Sequence, residues 1–170
     1  MSRRGLLLTM TEPPPAMEEE FNAWYDDEHM AERLAIPGFR SARRWVADVA
    51  PGEGRYLATY ELDSPGILSS APYLARFNNQ SPWSKRCLSK AVVFRRWACE
   101  QKGRADPHPA ARHLLCVIAE SPIVLPVTGA LQVRHFVAGT THIALAELSH
   151  PTIPPVKTGW EMHLYRAYAA

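Results

Sequence analysis

The chain has no long apolar run, little net charge, few cysteines and no glycine-rich loop. Each shortage narrows what the protein does. Over 170 residues the formal charge is only +2 at pH 7. No segment interleaves Lys or Arg with aromatic residues, so nucleic acid is not an expected partner. The apolar stretch from Gly5 to Met10, behind Arg3 and Arg4, is too short for a signal-peptide core or a membrane span. No membrane association is expected, and the simplest location is the cytoplasm. Cys87, Cys99 and Cys116 are odd in number and lack CxxC spacing. That argues against a disulfide framework or zinc knuckle and for buried thiols. There is no phosphate-cradling glycine loop, no GxSxG elbow and no cysteine beside a local base. No cofactor and no metal is therefore expected.

Proline is what the chain has in excess, with 15 residues. Prolines cluster at Pro13–Pro15, Pro107 and Pro109, Pro122 and Pro126, and Pro151, Pro154 and Pro155. Proline punctuates helices and strands, so these clusters mark joints between elements. Between the joints the chain repeats itself. "GLLLTMTEPP" (5–14) aligns with "HLLCVIAESP" (113–122), and "GFRSARRWVA" (38–47) with "GALQVRHFVA" (129–138). "YLATYELDSP" (56–65) aligns with "HIALAELSHP" (142–151), and "FRRWA" (94–98) with "YRAYA" (165–169). Each match is weak, but the four keep the same order.

All four blocks read as strands, being short, β-branched or aromatic, and bounded by Gly, Pro or Ser. In the first half, Met17 to Leu34 is long enough for a helix of several turns. A shorter helix fits between Ser64 and Phe77. That order is βαββαβ, the ferredoxin-like unit. In the second half, Ile123 to Thr128 is too short for a packed helix, and Ser149 to Gly159 is rich in proline. The expected fold class is therefore α+β, with two ferredoxin-like antiparallel sheets in one chain, packed face to face. The expected organisation is a βαββαβ half over 1–100, a linker over 101–111, and a helix-free β half over 112–170. The outer face of the second sheet is then exposed, shielded by its Pro-rich loops, or buried against another copy. A homodimer is the expected arrangement.

The densest chemistry lies in "EEEFNAWYDDEHMAERLAIPGF" (18–39). At about 100° per residue, Met17, Phe21, Trp24, Tyr25 and Ala31 form the buried stripe. Glu28 and Glu32 fall inside it. Asn22 and His29 lie on its flank beside Tyr25, with Arg33 further round. Tyr25 and His29 are four apart, so their side chains can meet. A buried carboxylate needs a partner or a raised pKa. Two readings of Glu28 stand: an ion pair with a sheet arginine, Arg43 or Arg95, or a pocket acid or base. His29 is either a hydrogen-bonded structural histidine or a proton carrier. Trp24, Phe39, Trp45, Trp83 and Phe94 read first as core and second as substrate platform. His135, His142 and His163, on three second-half strands, are weak metal candidates, because their repeat partners are not ligands.

Phe21, Trp24, Tyr25, Glu28, His29 and Arg33, then "IPGF" (36–39) and Arg43, resemble the EthD-like branch of the dimeric α+β barrel proteins. The likeness runs on through "YLATYEL" (56–62) and "SPWSKR" (81–86), over roughly the first hundred residues. One departure is Ala31, which stands where the usual His-x-Pro pattern has proline. The resemblance implies a pocket between the sheet and its helices, often faced by the helix histidine. It also implies relatives of many activities: cofactor-independent cyclases and isomerases, small quinone-forming monooxygenases, and haem-using enzymes.

The expected function is a small cofactor-independent isomerase, cyclase or lyase. Its ligand would be a hydrophobic aromatic or polyketide-like carbonyl compound. His29 would move the proton, Tyr25 hold the oxyanion, and Glu28 or Arg33 orient the pair. Asn22, Trp24, Arg33, Arg43 and Trp83 complete the expected binding set. The alternatives are a non-catalytic binder or partner subunit, and a cofactor-free or haem-dependent monooxygenase.

Overall fold

In the computed structural model, residues 2–126 and 128–169 are described. Eight strands are described along the chain: β1 (Gly5–Glu12), β2 (Phe39–Val46), β3 (Tyr56–Leu62), β4 (Val93–Lys102), β5 (His113–Ala119), β6 (Gln132–Ala138), β7 (Thr141–Leu148) and β8 (Glu161–Ala167). They close into one antiparallel ring, β1-β3-β2-β8-β5-β7-β6-β4. The four repeat blocks fall on β1/β5, β2/β6, β3/β7 and β4/β8. Exchanging the members of every pair maps the ring order onto itself.

This corrects the expected fold class. The chain does not form two ferredoxin-like α+β sheets stacked face to face. It forms a single closed eight-stranded antiparallel barrel with a few helices. The physical reason lies at the edges. β4 pairs with β6 from Glu100↔Val137 to Lys102↔His135, and β2 pairs with β8 at Trp45↔Ala167 and Val46↔Arg166. An edge strand left open would expose a row of unpaired N–H and C=O groups. Here each half takes up the other's edges.

Alternation along the strands separates an inner face from an outer one. Leu6, Leu8 and Met10 of β1 point inward and meet Trp45, Leu57, Cys99, Cys116, Phe136 and Tyr165. Ion-pair clusters close this apolar interior at both ends. At one end Arg134 binds Glu61 at 2.6 Å and Glu147 at 2.8 Å. At the other, Arg95 and His163 share Glu161. The barrel interior is thus a filled core.

Helices cover the outer face of the first half. Glu18–Trp24 (α1) leads through a π-helical turn, Tyr25–His29, into Met30–Leu34 (α2). Chain reversal after α2 uses Gly38, whose φ of 96° favours glycine. Ala71–Asn78 (α3) follows a short 3-10 turn. Pro82–Lys90 (α4) was not expected as a helix. Its start is nonetheless written in the sequence, since the Ser81 side chain caps the Ser84 N–H and Pro82 takes the first turn.

No helix is described between β4 and the end of β8. The outer face there, including Leu115, Val117, Ala144 and Ala146, is covered by Ile123, Leu125, Ala130 and Trp160 from the chain's own loops. The apolar face that motivated the homodimer expectation is therefore shielded internally. Among the described residues, no helix is long and apolar enough to cross a membrane.

Candidate functional site

The site begins with the irregularity in the first helix. A π turn closes i→i+5 hydrogen bonds, so each residue advances through a smaller angle than in an α-helix. The buried stripe therefore runs Phe21, Tyr25, His29, Arg33, with Trp24 beside it. A uniform 100° wheel brings Glu28, Ala31 and Glu32 inward instead. In the structure Ala31 is exposed, and Glu28 and Glu32 are only half-buried. The π turn rotates the histidine and the arginine to the inside.

What they face is a cavity of about 300 Å3 between the helices and the outer face of the barrel, at the lower end of the usual range for ligand sites. Its floor is Leu7 and Thr9 of β1 with Tyr60 of β3, and its helix wall is Tyr25, His29 and Arg33. Strand register places Leu7 opposite Tyr60, and Thr9 opposite Arg96 of β4. Phe77 and Phe94, both about half exposed, stand at the mouth.

His29 is 6% exposed. Its ring stacks on Trp24 at 4.3 Å between centroids and meets Tyr25 edge-on at 5.0 Å. Burial, with the Arg33 and Arg44 guanidinium groups nearby, pushes its pKa down to about 3. The imidazole is therefore neutral at physiological pH. Two hydroxyls of the cavity, Thr9 Oγ1 and Tyr60 Oη, are buried with no hydrogen-bond partner among the described residues. The Tyr25 phenol lies beside Tyr60 without a well-directed bond, and burial pushes the Tyr60 hydroxyl well above the ordinary phenol range. Tyr60 thus stays protonated and can donate. Unpartnered buried polar atoms are rare in folded proteins and call for an explanation. A ligand polar group supplies one.

Two predictions follow from this burial. Below pH 6.5 an unfolded chain protonates His29, whereas the folded chain resists until about pH 3. This stability is fully present above pH 6.5 and lost as pH falls towards 3. Between pH 7 and pH 4 the loss is about 3 kcal/mol. Urea unfolding at both pH values should show His29→Gln losing about 3 kcal/mol less than the parent. An equal loss would contradict the neutral, buried state. Tyr60→Phe removes a hydroxyl that gains nothing in the free protein, so stability should rise by about 1–2 kcal/mol. A fall would mean that the hydroxyl is already bonded.

The remaining expected residues lie outside the cavity. Glu28 makes no ion pair with Arg43 or Arg95, because those arginines serve Ala111 O and Glu161. Its carboxylate accepts from Ser81 Oγ at 2.7 Å and Ser84 Oγ at 3.4 Å. Ser84 Oγ also accepts from Trp24 Nε1 at 3.0 Å. Glu28 therefore fixes the tryptophan on which His29 stacks. Trp24 is fully buried, and Trp83 packs at the edge of the same apolar cluster. Asn22 accepts from Arg44 at 2.8 Å and donates to Tyr56. Arg43 lies over Trp45 on the inner side of the barrel wall.

Sequence reasoning missed Thr9, Tyr60, Tyr73 and Arg96 in the cavity, and Arg44 behind it. The signal for Tyr60 was present, since alternation in "YLATYEL" puts Tyr56 and Tyr60 on one face. Arg44 is buried between the Tyr25 and Tyr168 rings, 4.1 Å from each centroid, and holds Tyr25 from behind. Among the described residues no group of three or more His, Cys, Asp or Glu is placed to hold a metal. His135 and His142 share a smaller cavity, while His163 turns to Glu161. Cys87, Cys99 and Cys116 are buried free thiols.

The sequence matches no protein-family model. No curated protein matches it either. Nothing in these comparisons places the chain in the EthD-like branch. Among solved structures it is similar to an anthrone oxidase-like protein, with a TM-score of 0.58 at 10% identity. The match covers 99% of this chain and 92% of that one. At that identity the likeness shows the fold alone.

Proposed function

We propose that the chain is a small cofactor-independent enzyme that enolises a hydrophobic aromatic or polyketide-like carbonyl compound. The observation that carries this reading is the neutral, buried His29 beside two unpartnered hydroxyls in one cavity. His29 takes a proton from the acidic carbon conjugated with the carbonyl. The Tyr60 hydroxyl, with Tyr25 beside it, donates to the oxygen as charge develops there. Charging a buried imidazole is costly, but the enolate forms next to it and offsets that cost. Reprotonation at another carbon gives an isomer, and attack of the enolate on a second carbonyl gives a cyclised product. Glu28 acts through Ser84 and Trp24 as a positioning residue.

A second reading is favoured by the anthrone oxidase-like neighbour. The enolate then meets dioxygen. The carbon loses two hydrogens and gains one oxygen atom, and the other oxygen leaves as water. Anthrone, an enolisable tricyclic ketone, tests both readings when oxygen uptake and mass are followed together in D2O. Deuterium gained at its acidic carbon without oxygen uptake supports the first reading. A quinone formed with equimolar oxygen uptake supports the second. Binding of enolisable aromatic ketones with neither exchange nor product from any of them would contradict both and leave a binder.

A further inference from the structure

We infer that the cavity is built for an aromatic acid, with a negative charge on the ligand that seats against Arg33. The inference rests on the ligand-site reading above and names the substrate class it takes. Arg33 is 8% exposed and lines the cavity. A buried guanidinium without a counter-charge is costly, because it loses its hydration and gains no opposite charge in return. Neighbouring carboxylates are engaged elsewhere, Asp26 with Arg44 and Glu32 with Arg76. Among the described residues Arg33 meets the face of Tyr73, 5.5 Å from the ring centroid, which compensates weakly, and no carboxylate. Among the described residues, no aspartate or glutamate lines the cavity.

A second guanidinium stands at the same cavity. Arg96 lines it from β4, and its one described hydrogen bond goes to Tyr73 Oη at 3.0 Å. Tyr73 thus lies between the two arginines. With His29 neutral, the described lining carries two positive charges and no negative one. An enolate oxygen, formed transiently, needs one donor set and finds it at Tyr60. The two arginines are present before any reaction, so they fit a charge that the ligand brings with it. A carboxylate suits the planar guanidinium fork. Apolar Leu7, Leu88 and Phe77 leave the rest of the ligand as ring surface.

The test uses the full chain and two isosteric probes, 2-naphthoate and 2-naphthamide, followed by calorimetry. The expected result is at least ten-fold tighter binding of the naphthoate, falling to under three-fold in Arg33→Gln. Arg33→Lys should keep most of the preference. Should Arg33→Gln fail to fold, Arg96→Gln at the exposed rim should still cut the preference about three-fold. Equal binding of both probes by the parent chain would overturn the inference and leave the enolising pocket standing. So would a preference unchanged in every arginine variant that folds. If neither probe binds while anthrone is turned over, the acid inference alone falls. If neither probe binds and no ketone is turned over, both readings fall.

Discussion

His29→Gln should slow turnover of an enolisable aromatic ketone by 10^2- to 10^4-fold, the span that a positioned general base contributes. Glutamine keeps the polarity and much of the volume, so stacking against Trp24 is lost but the cavity is not emptied. The unmodified chain should also show a kcat/KM that is flat from pH 5 to pH 8. The free-enzyme pKa of His29 lies near 3, well below that window, and Tyr60 titrates far above it. A limb near pH 6.5 would mean that His29 is solvated and ordinary. A variant with unchanged turnover would remove His29 from the mechanism. Tyr25→Phe should cost less, since Tyr60 remains as a donor, and unchanged turnover there would show that Tyr25 only packs.

Arg134→Met should cost about 3–5 kcal/mol, because it strands two buried carboxylates. Glu61 and Glu147 are 4% and 2% exposed, and Arg134 bridges them at one end of the barrel. Burial already raises the Glu61 pKa, despite the pull of Arg134. A carboxyl whose folded pKa is raised loses stability as pH climbs above its unfolded value near 4.5. The Arg134→Met penalty should therefore be larger at pH 7.5 than at pH 5. Adding Glu61→Gln or Glu147→Gln should recover part of it. Urea titrations of the single and double variants measure this directly. A penalty below 1 kcal/mol at pH 7.5 would mean that water enters this end of the barrel.

This network also shows what was legible in the sequence. The repeat located all eight strands, because the first three blocks carry a Gly or Pro boundary and the fourth follows them in the same order. It also paired Glu61 with Glu147 and Arg43 with Arg134. It did not show that one arginine would serve both glutamates while Arg43 turns to the Ala111 carbonyl. Closure of the ring was not legible either. Which edges meet is decided by long-range pairing at β4–β6 and β2–β8, and no local pattern encodes it. The first helix was placed correctly, and three of its residues, Tyr25, His29 and Arg33, do line one cavity. The wheel failed for Glu28 because one π turn shifts everything after Trp24. Thr9 and Arg96 escaped because a polar residue on the outer face of a strand looks solvated. Only the helices, over Thr9 and beside Arg96, make them part of a wall.

The most direct test is deuterium exchange into anthrone, measured by NMR in D2O without oxygen. Excluding oxygen isolates proton removal from whatever follows it. With the intact chain, exchange at the carbon bearing the acidic hydrogens should run well above the buffer rate. With His29→Gln it should fall to near background. Exchange at the buffer rate with anthrone demonstrably bound would contradict it, and the cavity would then hold its ligand without moving a proton.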